Sequence, residues 1–294
     1  MKNVLYTCPF VPTEWIASHG LEPVRMTPEP SHQGLSSGVC PFAAAFIHTA
    51  SNTPARAIIA STVCDQMRRS VELIASRCDT PVFLMNIPAT WKTPSSMKLY
   101  RDELARLGRF LEACGGVAPT NEQLADTMLH YDSLRVGLRQ ASQATRPTGV
   151  PLILAGGPLR STDRKIFDLI QQAGGSVVLD ATASGEMTWP ATFDPTRLID
   201  DPISELGDAY FAHIPHAMRR PNNQLYEYLT REVIARGARG VIYHRHQWCD
   251  TWHAETLRLK NALPIPLLDL AGGDDESDQA YIFTRIQAFM EMLK

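Results

Sequence analysis

Short apolar runs alternate with amphipathic segments along most of the chain, and this alternation predicts its fold. Residues 56–61 and 81–87 are apolar runs of strand length, and residues 65–76 between them have helical spacing. A strand, a helix and a second strand in this order predict a β-α-β unit. Further helices are predicted in this half of the chain, beginning at Thr13 and spanning residues 43–50, 95–113 and 121–143.

The same alternation restarts after residues 144–149, where Pro147 marks a natural boundary. Strands that alternate with helices are typical of parallel sheets. We therefore predict an α/β protein with two Rossmann-like domains, residues 1–146 carrying Cys40 and Cys64, and residues 147–294 carrying Cys249. In the second domain, strands are predicted over residues 151–155, 176–180, 240–243 and 266–270, and helices over residues 163–172, 223–236, 251–261 and 279–293.

Three cysteines lie where a predicted strand ends or a predicted helix begins. Cys64 and Cys249 each follow a predicted strand, and Cys40 precedes an apolar helical run. Open α/β sheets bind ligands beyond the carboxyl ends of their strands, so we expect a site between the two domains. The alternative is that these thiols are small buried core residues, which is the simpler interpretation for Cys78 and Cys114 near predicted helix ends.

Composition and charge narrow the classes of function. The 294 residues are 44% hydrophobic and 20% charged, and the formal net charge of −3 argues against a nucleic-acid-binding surface. No apolar run approaches the roughly 20 residues of a membrane span, and Pro9 and Pro12 interrupt the N-terminal apolar stretch. We therefore expect a cytoplasmic protein without nucleic-acid or membrane partners, whose six cysteines stay reduced.

The motifs give less support to two other classes of cofactor. Gly156 and Gly157 follow a predicted strand, but they lack the spacing of a dinucleotide-binding loop, so a tight turn is the simpler interpretation. Structural zinc sites usually contain paired cysteines, and no C-x-x-C pair occurs. Iron–sulfur clusters also take thiolates from separated loops. The histidines are expected to be surface or supporting groups, namely His213 and His216 near a predicted short strand, and His244, His246 and His253.

Several stretches together resemble the 2-hydroxyacyl-CoA dehydratase and benzoyl-CoA reductase family. Residues 8–14 resemble a family segment of the form C-S-Y-x-P-x-E. No single stretch is diagnostic, whereas their order and spacing together are fairly specific. The other stretches cover most of the chain, and they are Cys40-Pro41-Phe42-Ala43, Val63-Cys64-Asp65, Gly156-Gly157-Pro158, Trp248-Cys249 and residues 284–289.

The resemblance implies an iron–sulfur subunit that works with a separate ATP-dependent activator protein. Cys40, Cys64 and Cys249 match the three cysteines that hold a [4Fe–4S] cluster in that family, where one iron stays open to water or to the thioester carbonyl of the substrate. An open iron can polarise that carbonyl and deliver an electron to it. Glu14 matches a family glutamate and is the candidate catalytic proton-transfer residue, with a capping or surface role as the alternative.

Three functions stay open on this resemblance. The first is a subunit of an acyl-CoA dehydratase or aryl-CoA reductase, assembled with a related second subunit or with a second copy of itself. The second is a partner subunit that only relays electrons or acts as a scaffold. The third is a small-molecule reductase with a double-cubane cluster, although Ala183 stands where many family members have a cysteine. The role of Cys8 also stays open.

Overall fold

The computed structural model describes residues 2–30, 38–144, 146–272 and 276–294, and within them the chain forms two four-stranded parallel sheets. The first sheet has the order β2-β1-β3-β4, with β1 Asn3–Tyr6, β2 Glu22–Arg25, β3 Ala57–Ser61 and β4 Val82–Met85. The second has the order β6-β5-β7-β8, with β5 Val150–Gly156, β6 Gly175–Thr182, β7 Gly240–His246 and β8 Leu267–Gly272. The predicted α/β class with two parallel sheets is confirmed.

Helices connect the strands and cover the sheets. In chain order they are α1 Thr13–Ser18, α2 Pro41–Asn52, α3 Asp65–Ala75, α4 Pro94–Ala113, α5 Asn121–Ala144, α6 Lys165–Gln172, α7 Pro195–Asp200, α8 Pro202–Gly207, α9 Asn223–Ala235, α10 Asp250–His253, α11 Thr256–Ala262 and α12 Glu276–Met292. No described helix combines the length with the apolar character that a membrane crossing requires.

Three local features differ from the sequence-based expectations. The strands β1 and β2 were not predicted, because each has only four residues and neither lies in a longer apolar run like that of residues 81–87 around the equally short β4. The predicted helix over residues 251–261 is divided into α10 and α11. A short strand was expected near His213 and His216, but Asp208–Ala212 forms a π-helical turn there. Each of these features is shorter than the window over which hydrophobic periodicity can be recognised.

Alternating side chains of the central strands fill two apolar layers in each half of the molecule. In β3, Ile59 packs into one core cluster and Ile58 into another on the opposite face of the sheet. In β5, Ile153 and Leu154 are divided in the same way. Successive side chains of a strand point to opposite faces, so a strand covered on both sides reads as a continuous apolar run.

A segment from the second half of the chain also packs against the first sheet. Phe193, Leu206 and Phe211 lie in the same core cluster as Val4 and Ile59. Burial of each such side chain contributes about 1.5–3 kcal/mol to folding. The first core therefore includes residues from beyond position 147, and the domain division at residues 146/147 stays a prediction.

Candidate functional site

A cavity of about 60 Å³ lies between the two sheets and is called the cysteine cavity below. This volume is several times the roughly 10–15 Å³ that one water molecule needs. Its walls come from the loops that follow five strands, β1, β3, β5, β6 and β7, together with the starts of α2, α3 and α10. The carboxyl ends of both sheets thus face one cavity, which is where open α/β sheets bind ligands.

The structure brings the three predicted ligand cysteines together in the wall of this cavity. Cys40, Cys64 and Cys249 all line it, although Cys40 and Cys249 are more than two hundred positions apart in the sequence. Cys40 is buried, and Cys64 and Cys249 are half-buried. Each of them occupies the residue immediately before a helix, namely α2, α3 and α10.

Helix starts present backbone N–H groups to these sulfur atoms. The N–H of Met67 donates to Sγ of Cys64 at 3.4 Å. Backbone N–H groups of Phe42 and Ala43 lower the pKa of Cys40, although burial acts against them. The first N–H groups of a helix have no partner within the helix, and they favour an anion at that end. The local backbone therefore favours thiolates at Cys40 and Cys64, in opposition to the effect of burial.

Two of the thiols are direct neighbours. A hydrogen bond between Cys249 and Cys40 is the main cause of a lowered pKa at Cys40 and of a raised pKa at Cys249. Burial raises the pKa of Cys64. The two thiols therefore titrate as a coupled pair, in which one thiolate is stabilised by the other thiol and a second ionisation is opposed.

Cys8 is a fourth thiol on the same cavity. It follows β1, is 4% exposed, and lines the cysteine cavity together with Pro9. Burial raises its pKa, while the neighbouring Ser61 hydroxyl acts in the opposite direction. Its position in the turn before the first predicted helix was visible in the sequence, but the proximity to the other three thiols was not. Neither Cys78 nor Cys114 lines this cavity, as their helix-end positions suggested.

The remaining wall is mostly apolar, with two histidines. Phe42, Met67 and Trp252 supply much of the apolar surface. His216 accepts a hydrogen bond at Nδ1 from the N–H of Met218 at 3.1 Å, so the neutral ring carries its proton on Nε2. Burial lowers the pKa of His216 to about 3. His216 was expected to be a supporting polar group, and it is a neutral, buried group in the cavity wall.

His246, the second histidine of the cavity, belongs to a buried polar group behind it. Its Nε2 lies 2.8 Å from the carbonyl oxygen of Pro158 and 3.6 Å from Oδ2 of Asp163. His244 lies two positions earlier on β7, and ring nitrogens of both histidines and a carboxylate oxygen of Asp163 lie within 4.8 Å of one another. Hydrogen bonds from Arg160 lower the pKa of Asp163 to about 2, although burial acts against them. The alternating histidines at the end of β7 were the only sequence signal for this group.

Glu14 lies outside the cysteine cavity. It is fully buried in the first turn of α1, with Oε1 2.6 Å from Nη1 of Arg135 and Oε2 accepting from the hydroxyl of Tyr210 at 2.6 Å. Arg135 and Tyr210 line a second cavity of about 270 Å³, which shares Cys8 and Pro9 with the cysteine cavity. Glu14 is therefore not a surface residue, and its catalytic role stays a prediction.

The Gly156-Gly157 turn is already occupied by backbone contacts. The N–H of Gly157 donates to the carbonyl of His244 at 2.9 Å, so it is not free to bind a phosphate. Gly156 has a φ of +125°, which favours glycine. This geometry agrees with the tight turn expected from the sequence.

The set of donors around the cysteine cavity fits an iron–sulfur cluster. Three thiols from separated loops face an apolar space, and helix-start N–H groups contact their sulfur atoms. Such clusters are held by cysteine thiolates and are tuned by hydrogen bonds to sulfur. The roles of Cys40, Cys64 and Cys249 as ligands stay predictions.

Comparison with known proteins gives a family match over nearly the whole chain. A family profile described as "2-hydroxyglutaryl-CoA dehydratase, D-component" matches residues 8–151 and 134–293. The protein named "Putative dehydratase subunit YjiM" of Escherichia coli (strain K12) is 23% identical over 288 residues, which cover 80% of this chain and 74% of that protein.

Similarity to solved structures is much weaker. A Mn-bound periplasmic metal binding protein from Candidatus Liberibacter asiaticus aligns over 100% of both chains with 8% identity and a TM-score of 0.29. The laminin-binding protein Lbp of Streptococcus pyogenes aligns over 99% of this chain and 98% of its own, with 10% identity and a TM-score of 0.25. These scores carry no argument about the fold or the function of this chain.

Proposed function

The chain belongs to the 2-hydroxyglutaryl-CoA dehydratase D-component family, and we propose that it is the iron–sulfur subunit of an acyl-CoA dehydratase or aryl-CoA reductase. Membership of this family, together with the YjiM similarity, supports a dehydratase-type subunit. In detail, we propose that the protein is cytoplasmic and takes electrons from an ATP-dependent activator. It would use a [4Fe–4S] cluster to act on a CoA thioester.

The convergence of three thiols on one cavity is the observation that carries this proposal. Cys40, Cys64 and Cys249 would hold the cluster, which supplies Lewis acidity and one-electron transfer when it is bound. The apolar wall around them keeps water away from the reacting group. The ring of His216 stays neutral at physiological pH, because burial lowers its pKa to about 3, and its Nε2–H group is available as a hydrogen-bond donor.

The proposal is tested by iron and sulfide analysis after anaerobic purification and reconstitution. We expect about four irons per chain in the wild type. Cys40→Ser, Cys64→Ser and Cys249→Ser should each lose most of this iron, because each removes one ligand of the same cluster. Cys114→Ser is the matched control and should keep it, since Cys114 lies away from the cavity. A colourless, metal-free wild-type protein after careful reconstitution would contradict the proposal.

A second candidate is a partner subunit whose cluster relays electrons without contacting substrate. Cys8 supports this candidate, because a fourth thiol in the cavity wall could ligate the iron that would otherwise have an open coordination position for substrate. Turnover of an acyl-CoA by this chain with activator, ATP and reductant alone favours the catalytic subunit. Turnover only after a related second subunit is added favours the relay. A count of about eight irons would indicate a double-cubane cluster instead.

A further inference from the structure

The carboxamide of Gln66 joins the three cysteine-bearing segments. Gln66 lies in the first turn of α3, two residues after Cys64. Its Oε1 accepts a hydrogen bond from the N–H of Cys40 at 2.6 Å. Its Nε2 lies 3.3 Å from the carbonyl oxygen of Trp248, the residue before Cys249, and 3.4 Å from that of Gly38. One side chain on the Cys64 helix thus contacts the backbone beside both of the other cysteines.

The backbone at Trp248 shows why this contact matters. Trp248 has a φ of +59°, in the left-handed region that non-glycine residues rarely adopt, and its side chain is 58% exposed. A strained residue of this kind persists when surrounding contacts hold its backbone in place. The hydrogen bond from Gln66 to the Trp248 carbonyl is such a contact, and the next residue in the chain is Cys249.

The chemistry of the contact requires an amide. The Cys40 N–H needs an acceptor, whereas the two carbonyl groups need donors, and a carboxamide offers both on adjacent atoms. A carboxylate at position 66 would keep the acceptor but lose both donors. A methionine would keep the length of the side chain and lose all three hydrogen bonds. These two substitutions therefore separate the polar contacts from the space that the side chain fills.

We propose that Gln66 is a positioning residue that holds the Cys40 and Cys249 segments against the start of α3, so that the three sulfur atoms keep one arrangement with or without a bound cluster. The link between Gln66 and cluster binding rests on the proposed function. The role of Gln66 in fixing the positions of the three thiols does not, because that arrangement is a property of the polypeptide. Gln66 does not line the cysteine cavity, so its effect on the site would pass through the cysteine segments.

The first test measures iron release from the anaerobically reconstituted full chain under a chelator. Gln66→Glu and Gln66→Met should release iron about tenfold faster than the wild type, because the loss of two or three hydrogen bonds loosens the ligand segments. They should also broaden the electron paramagnetic resonance signal of the reduced cluster. Gln172→Met, at an exposed glutamine near the end of α6, is the matched control and should behave as the wild type. Equal release rates in all four proteins would overturn the inference.

The second test uses the cluster-free protein, so that failure of the inference differs from failure of the proposed function. Diamide oxidises two thiols to a disulfide and takes up the two electrons and two protons itself. Peptide mapping should show a Cys40–Cys249 disulfide that forms several-fold more slowly in both Gln66 variants, since these thiols are neighbours in the wild type. Equal rates would overturn the role of Gln66 even if the wild type binds iron. If the wild type binds no iron and the disulfide still forms more slowly in the Gln66 variants, only the proposed function is contradicted.

Discussion

Glu14 has a structural contact that competes with its predicted catalytic role. The carboxylate is fully buried between Arg135 and Tyr210, whose guanidinium and hydroxyl groups occupy its two oxygen atoms. Asp132 is a second carboxylate near Arg135, with Oδ1 3.8 Å from Nη2. Removing one partner of a buried ion pair leaves an uncompensated charge. At the residue scale, Glu14 is therefore expected to contribute to stability whether or not it moves a proton.

Glu14→Gln tests this expectation. The change should lower the free energy of unfolding by about 3–5 kcal/mol, because Arg135 stays buried without its main counter-charge. Urea unfolding of the cluster-free protein measures it. Glu122→Gln, at an exposed position in the first turn of α5, should change stability by less than about 0.5 kcal/mol. Wild-type stability together with lost turnover would make Glu14 a catalytic residue instead.

The end of β5 determines how closely the central strands of the second sheet approach. Gly156 pairs with His244 of β7, and a Cβ atom at Gly156 would lie 1.9 Å from the carbonyl oxygen of His244. No side-chain rotation can relieve this contact, since both partners are backbone. The turn that follows carries Pro158 into the wall of the cysteine cavity. At the scale of the element, this glycine is thus required for both the strand pairing and the cavity.

Gly156→Ala is expected to destabilise the protein by about 3 kcal/mol or more, through backbone strain at positive φ and separation of β5 from β7. Thermal or urea unfolding measures the loss. Gly137→Ala on α5 is the control, because nothing lies within 4 Å of its added Cβ. That control should gain about 0.5–1 kcal/mol from better helix propensity. Similar stabilities for the two variants would contradict the role of Gly156.

The pH dependence of stability belongs to the whole molecule, because it depends on which groups the fold buries. Burial lowers the pKa of His216 and of His244 to about 3, whereas an unfolded histidine titrates near 6.5. Below pH 6.5 the unfolded chain therefore binds more protons than the folded one, and stability falls as the pH decreases. Asp163, with its pKa lowered to about 2, adds a further loss below about pH 4.

Unfolding free energies of the cluster-free protein should fall by about 2 kcal/mol per buried histidine between pH 7 and pH 5. Urea titrations at the two pH values measure this difference. His244→Phe should remove about half of the loss, because the phenyl ring binds no proton. His130→Gln, at an exposed position on α5, should leave the loss unchanged. A pH-independent stability in the wild type would show that neither ring is held neutral by the fold.

Local rules explain how far the elements could be predicted. The periodicity of residues 65–76 and 95–113 lies within single helices, so α3 and α4 were found nearly to their ends. The strand β1 has only four residues and is followed at once by a proline-containing turn, so the sequence shows no apolar run there of the length seen at β3 or β5. The break between α10 and α11 was also missed. There, buried Glu255 accepts a hydrogen bond from Tyr226 of α9, a partner that no local pattern reveals.

The amino-acid sequence by itself determined the two α/β units and the placement of Cys40, Cys64 and Cys249 at junctions between elements. Periodicity, caps and turns depend on neighbours within a few residues, which a sequence displays directly. Only the tertiary structure decided that Cys8 and His216 share a cavity with these cysteines, and that Gln66 reaches Trp248 from 182 positions away. Those contacts depend on how the two sheets pack together, and residue spacing alone contains no information about that packing.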